Sequence, residues 1–244
     1  VFGAGQFVTV GTGGKILTSA DGITWAAATS GTTFDLLGLT FANNQFVAVG
    51  QFGTVLTSPD GTTWTPRSVP FQGTLNGVSF GASKFVAVGA GGVSLMSSDG
   101  ISWTFQSTGV TSDLLEVLFA NNLFVATGNG GTIVTSPDGS TWTARSSGSI
   151  RNLSGLTFAS SKFVAVGGSG TVLNSADGLT WTSQTSGTGS TLNRVTFGAN
   201  KFVAVGGGGT VITSADGVAW TPALNLSFQD LVGVGFANNL FVAT

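Results

Sequence analysis

Apolar residues run along this chain in short stretches, each rich in β-branched and aromatic side chains and each cut off by Gly, Asn, Asp or Pro. No stretch repeats them at the three-and-four spacing of a helix for long enough to form one. Residues 36–67 illustrate the pattern, which predicts four short strands over 36–41, 45–49, 54–58 and 63–67, termed A, B, C and D. The same pattern returns without a gap every 39 residues, marked by Trp25, Trp64, Trp103, Trp142, Trp181 and Trp220. A unit of that length with four strands cannot bury its apolar face alone and must stack on its neighbours. The expectation is an all-β fold, a β-propeller of four-stranded antiparallel blades, with residues 1–244 forming a single domain.

Counting the strands leaves the blade number open. Six periods cover 234 residues, and residues 235–244 repeat the phase of residues 1–10. In a six-bladed ring the strand over 231–236 would complete the blade begun by 7–10, closing the ring with strands from both ends. Seven blades are the alternative. The repeated Phe pair, such as Phe41 with Phe46 or Phe119 with Phe124, together with the Trp, is expected to fill the space between neighbouring blades.

Each Trp closes the phrase Ser-x-Asp-Gly-x-(Thr/Ser/Ala)-Trp, so Asp21, Asp60, Asp99, Asp138, Asp177 and Asp216 recur at one phase. A ring of carboxylates is the tempting interpretation, yet each Asp precedes a Gly in the expected C to D turn. A short oxygen-bearing side chain there caps turn amides, and Gly supplies the positive φ. The phrase resembles the Asp-box (bacterial neuraminidase repeat), with one residue fewer between Asp and Gly. That resemblance spans the whole chain and implies the propeller architecture. The superfamily includes sialidases, some glucan-degrading glycosidases, photosystem II assembly factors and many extracellular bacterial repeat proteins, to the last of which these repeats are most similar. What it implies of sialidases, a Tyr nucleophile, a Glu partner and three Arg gripping the substrate, is not met here. The chain has no Tyr, a single Glu at Glu116 and only four Arg.

Composition removes further chemistry. Without His or Cys there is no Ser-His-Asp or Cys-His nucleophile, no usual zinc or copper site and no disulfide framework, so neither cofactor nor metal is expected. Eight basic residues against ten acidic ones give a net charge of −2 and no basic stripe for a phosphate backbone, which argues against nucleic acid as a partner. The glycine runs 167–170 and 206–209 lack the Lys and the following helix of a phosphate loop and fall at the expected B to C turn. No run of 18 apolar residues marks a membrane span. Only 7% of residues are charged amid abundant Gly, Ser, Thr and Asn, which favours an extracellular or cell-surface bacterial protein. A start at Val1 reads as a mature form or a fragment of a longer chain.

Function is expected where the repeats differ. The most variable segment is the D to A connection, residues 26–35 and their equivalents, which should emerge on the same face as the B to C turns. Fourteen of the 19 Phe occupy the two repeated positions, and Phe34, Phe52, Phe71, Phe105 and Phe228 do not. Phe34, Phe52 and Phe71 are expected to cluster, with Thr33, Asp35 and Gln72 beside them, as a platform on which a sugar ring stacks. Arg151 and Phe228 lie in equivalent connections and join them as candidate ligand-binding residues. Asp35, Asp113 and Asp230 share the phase just before strand A. They support either a turn-capping role or a glycosidase acid and base at the channel mouth. The expected function is a non-catalytic binding or adhesion module for a glycan or another surface macromolecule. The rivals are a building block of an extracellular fibre, with self-assembly or neighbouring domains, and a glycosidase.

Overall fold

The computed structural model describes residues 1–223, 229–237 and 239–244. It contains six antiparallel sheets of four strands, each folded from one contiguous stretch of chain in the order A-B-C-D. The second is built from Leu36–Ala42, Gln45–Gly50, Val55–Ser58 and Thr65–Arg67. The all-β, six-bladed architecture follows the sequence pattern, and three-residue 3-10 turns are the helical segments among the described residues. Strand D starts two residues later than the pattern predicts. The amides of Thr62 and Thr63 donate to Asp60 Oδ1, at 2.8 and 2.9 Å, and are lost to the ladder with strand C.

The turns explain the spacing. Between A and B sit two residues with positive φ, Asn43 at 49° and Asn44 at 56°, the mirror-image turn whose twist suits a hairpin. Strand B ends on a glycine, and here φ is not the reason. Gly50 has an extended φ of −169°, but a Cβ on it would lie 2.0 Å from the carbonyl oxygen of Asp35. A bulge between Leu36 and Gly38 belongs to the same strand end, and Asp35 O accepts from Gln51 N at 3.0 Å.

The chain divides into two compact units, Val1–Phe124 with Ser136–Trp142, and Val125–Thr135 with Thr143–Thr244. In the first, Phe46 is fully buried among Val8, Ile16, Leu36, Ala48, Leu56 and Trp64, contributed by the first two sheets. Its ring lies 4.5 Å from Phe41 and 6.2 Å from Trp64. Burial of each such ring stabilises by roughly 1.5–3 kcal/mol. The head of strand B latches one repeat to the next, since Gln45 Nε2 donates to Asp99 O at 2.7 Å and Gln6 does the same to Asp60 O. In the second unit Lys162 Nζ repeats the contact on Asp216 O at 3.0 Å.

Residues 231–236 do not complete the first sheet. That sheet takes its A strand from its own repeat, Phe2–Gly3 paired with Gln6–Val10. The C-terminal strands pair with each other as Val234–Ala237 and Leu240–Ala243. This hairpin packs Val234, Phe241 and Ala243 against Val203, Val205, Val211 and Leu231, the way each repeat begins on the one before it. Closure by strands from both termini is therefore replaced by six self-contained sheets and a half unit. Among the described residues no helix is long and apolar enough to cross a membrane.

Two buried positions break the apolar pattern. Thr127 stands where the other repeats have Val10, Val49, Val88, Val166 and Val205, and Ser94 where they have Ile16, Val55, Ile133, Val172 and Val211. Both residues are completely buried, and neither hydroxyl has a hydrogen-bond partner. Thr127→Val keeps the shape and removes an unpaired buried hydroxyl, so it is expected to stabilise the protein by about 1–2 kcal/mol. Urea unfolding measures this directly, and an unchanged or lowered midpoint would contradict it.

Candidate functional site

The six Ser-x-Asp-Gly turns are built alike and are consumed by the fold. In the second, Ser58 Oγ donates to Asp60 Oδ1 at 3.0 Å and accepts from Gly61 N at 2.8 Å. Trp64 Nε1 then donates to Gly61 O at 2.8 Å. The turn amides hold the carboxylates ionised. The Thr24 amide, then that of Ile23, lowers Asp21 to about 2 from 3.8. Thr63 and Thr62 do so for Asp60, and Thr141 and Ser140 for Asp138, again to about 2. Asp99, Asp177 and Asp216 are lowered by equivalent bonds. A folded-state pKa below the unfolded one means stability that is present above the unfolded value near 3.8 and lost as pH falls towards about 2. The urea midpoint is therefore expected to hold steady from pH 7 to 5 and to fall between pH 4 and 2. A midpoint that does not drop over that lower range would remove these turns from the stability of the fold. Trp220 departs from the pattern. Its Nε1 has no partner, and Gly217 O accepts from Asn174 Nδ2 at 3.0 Å.

The candidate site lies where a B to C turn meets a D to A connection. The turn Gln51–Gly53 has a left-handed central residue in every repeat: Gly13, Phe52, Gly91, Gly130, Ser169 and Gly208. Only Phe52 places a large side chain there, at φ 54° and ψ 36°. For an L-residue this conformation costs roughly 1–2 kcal/mol. The ring is 61% exposed and meets Phe34, itself 43% exposed, at 4.7 Å between centroids and 47° between planes. Such a pair returns roughly 0.5–1.5 kcal/mol, which at best offsets the backbone. A turn shaped for stability alone would carry Gly, as four repeats do.

Neighbouring groups brace the pair. Asp35 Oδ1 accepts from Gly13 N at 2.8 Å and Oδ2 from Gln51 Nε2 at 3.1 Å, while Thr32 Oγ1 accepts from Phe34 N at 3.1 Å. Gln51 was not evident from the sequence pattern, although it stands where the other repeats have Thr, Ala, Asn or Gly. Phe71 does not join the pair. Its ring turns back over Gly73 and packs on the cluster containing Leu75, Phe85 and Trp103, while Gln72 is exposed beside it. Asp113 Oδ1 accepts from Gly91 N at 2.8 Å and Asp230 Oδ1 from Gly208 N at 2.9 Å, the bond Asp35 makes to Gly13. Asn152 Oδ1 makes it to Gly130 N at 2.9 Å, so the position caps the turn with or without a carboxylate. Arg151 is exposed in its own connection, its amide donating to Ser149 Oγ at 3.0 Å. Phe228 lies outside the described residues.

Six four-stranded antiparallel sheets, one per repeat, define a β-propeller. No protein-family model and no curated protein matches the chain. Solved structures do. YCF48 from Cyanidioschyzon merolae is 19% identical with a TM-score of 0.77, over 100% of this chain and 90% of that one. A structure of YCF48 bound to D1 peptide is 21% identical with a TM-score of 0.71, over 90% and 78%. The WD40 β-propeller domain of Doa1 is 13% identical with a TM-score of 0.74, over 99% and 86%. These likenesses establish the fold.

Proposed function

We propose that this protein is a non-catalytic binding module, an extracellular or cell-surface propeller of Asp-box type. Its ligand, a glycan or another surface macromolecule, seats on Phe34 and Phe52. The observation that carries this is Phe52 itself, an exposed aromatic held in a left-handed backbone where the repeat otherwise prefers Gly. Strain of that kind collects at functional positions. A glycosidase is disfavoured because Asp35, Asp113 and Asp230 each commit Oδ1 to a turn amide. A polypeptide ligand is the second reading, supported by a similarly folded protein having been solved with a peptide bound.

A glycan array probed with the parent chain, Phe34→Ala and Phe52→Gly tests the seat. Phe52→Gly is expected to leave stability within about 1 kcal/mol of the parent, because relieved strain and lost ring contact oppose each other. Binding is expected to disappear. Ligands retained by both variants would exclude the aromatic pair as the seat.

A further inference from the structure

We propose that the cleft between the fifth and sixth repeats, at the outer strand of the fifth sheet, is a binding site for an uncharged sugar ring. It shares its ligand class with the reading above and does not depend on the Phe34–Phe52 pair.

The fifth sheet is built from Leu153–Ala159, Lys162–Gly167, Val172–Ser175 and Thr182–Gln184. Val164 pairs with Asn174, Asn174 with Thr182 and Val172 with Gln184, so these side chains share one face of the sheet. Val164, Val166 and Val172 seal that face against Phe202, Ile212 and Trp220 of the sixth repeat. Beyond them the face turns polar and opens into a cleft of about 340 Å3, whose walls include Lys162, Asn174, Asp177, Thr182, Gln184 and, from the sixth repeat, Val218. Both walls belong to complete four-stranded sheets.

Two residue choices open the cleft. The second sheet has Arg67 where the fifth has Gln184, and Thr57 where it has Asn174. Arg67 Nε donates to Thr57 Oγ1 at 2.9 Å, and Arg145 Nε does the same to Thr135 Oγ1 in the fourth sheet, which lays a long side chain along this face. Gln184 is shorter and turns to its own strand, its Nε2 donating to Thr182 O at 3.4 Å.

Asn174 is the choice that works against the fold. Its Nδ2 donates to Gly217 O at 3.0 Å, and the buried Trp220 Nε1 has no partner. In the other five repeats the equivalent carbonyl accepts from the Trp, as Gly100 O does from Trp103 at 3.0 Å and Gly178 O from Trp181 at 3.1 Å. A buried N–H left without a partner destabilises. Thr18, Thr57, Thr135 and Thr213 stand at the phase of Asn174, and a Thr there would leave the Gly217 carbonyl to Trp220. The amide of Asn174 therefore has its use in the cleft rather than in the packing.

The groups present fit a neutral sugar. Lys162 and Asp177 are opposite in charge, so neither an anion nor a cation is favoured. The apolar side chains of the lining are Ala176 and Val218, with no aromatic ring, which gives an apolar ligand little to pack on. The rest are hydrogen-bonding groups: Lys162 Nζ, which also donates to Asp216 O at 3.0 Å, the amides of Asn174 and Gln184, and the Thr182 hydroxyl. Each hydroxyl of a pyranose ring donates and accepts at once and can be met by such a set. The volume is at the small end of the roughly 300–1,000 Å3 that ligand sites span.

Saturation-transfer NMR of the full chain with the methyl glycosides of glucose, galactose, mannose and N-acetylglucosamine tests this, and titration gives the affinities. Asn174→Thr frees the Gly217 carbonyl for Trp220, and adding Gln184→Arg rebuilds the outer strands of the second sheet in the fifth. The single variant is expected to melt about 2–4 °C above the parent. Both variants are expected to lose at least about tenfold in affinity for the glycosides that the parent binds. No transfer to any glycoside, or unchanged affinity in either variant, overturns the proposal. If the variants melt below the parent, Gln184→Ala, with Ala28 and Ala223 as its equivalents, decides in their place. A tenfold loss there supports the cleft, and unchanged affinity overturns it. A glycoside lost on Phe52→Gly and kept by Asn174→Thr belongs to the aromatic seat and also overturns the cleft. The opposite pattern supports the cleft and leaves the aromatic seat without its sugar.

Discussion

Phe85→Ala is expected to destabilise the protein by about 3–5 kcal/mol, enough to lower the melting temperature by on the order of 10 °C. Phe85 sits in the B strand Lys84–Gly89, is fully buried and lies 4.7 Å from Phe80. Its surroundings, Val47, Val49, Val55, Leu75 and Trp103, come from two successive sheets, so truncation opens a cavity that neither sheet can close alone. Phe105→Ala supplies the comparison. Its ring is 57% exposed, and its loss is expected to stay within about 0.5 kcal/mol. Urea denaturation of the two variants measures the difference, and similar midpoints would mean that the interface tolerates a void.

Gly89→Ala, four residues further on, is expected to cost about 3 kcal/mol for a different reason. The backbone at Gly89 is extended, with φ −170°, and any residue adopts that. The new Cβ would lie 2.1 Å from the carbonyl oxygen of Thr74 and 2.9 Å from the Cα of Leu75, so main chain has to move. Ala90 N donates to that same oxygen at 2.9 Å and would be displaced with it. Gly91→Ala separates contact from conformation. Gly91 has φ +66°, and a Cβ added to it would meet nothing within 4 Å. That substitution is expected to cost only about 1 kcal/mol, from the left-handed backbone alone. If the two substitutions proved equal in thermal unfolding, close approach could not be the reason for the strand-end glycine.

Much of this architecture is legible in the sequence, because the determinants are local and written six times. The Trp and Phe positions announce the buried rings, and Asp before Gly announces a turn whose amides the carboxylate takes. The start of strand D is harder to place, because by residue type the same amides look available for pairing. Counting alone assigns the C-terminal strand to the first sheet, whereas Phe2–Gly3 already fills that place. At the candidate site, residue type and phase suggest Phe34, Phe52 and Phe71 equally. The separation of Phe71 from the other two depends on which way its ring turns, and here it turns onto Gly73. The strain at Phe52 is likewise hidden. A Phe between Gln and Gly gives no sign of its φ until the other repeats show Gly or Ser at the same place.

Each sheet draws all four strands from one uninterrupted stretch of chain. A gene encoding such a protein can gain or lose one repeat by unequal crossing-over between any two of its copies, and the junction falls in register wherever the exchange occurs. No surviving strand loses its ladder partner. Variation in copy number thus becomes a mild mutation, and recombination can shuffle a repeat that carries a site such as Phe52 without having to reinvent its support.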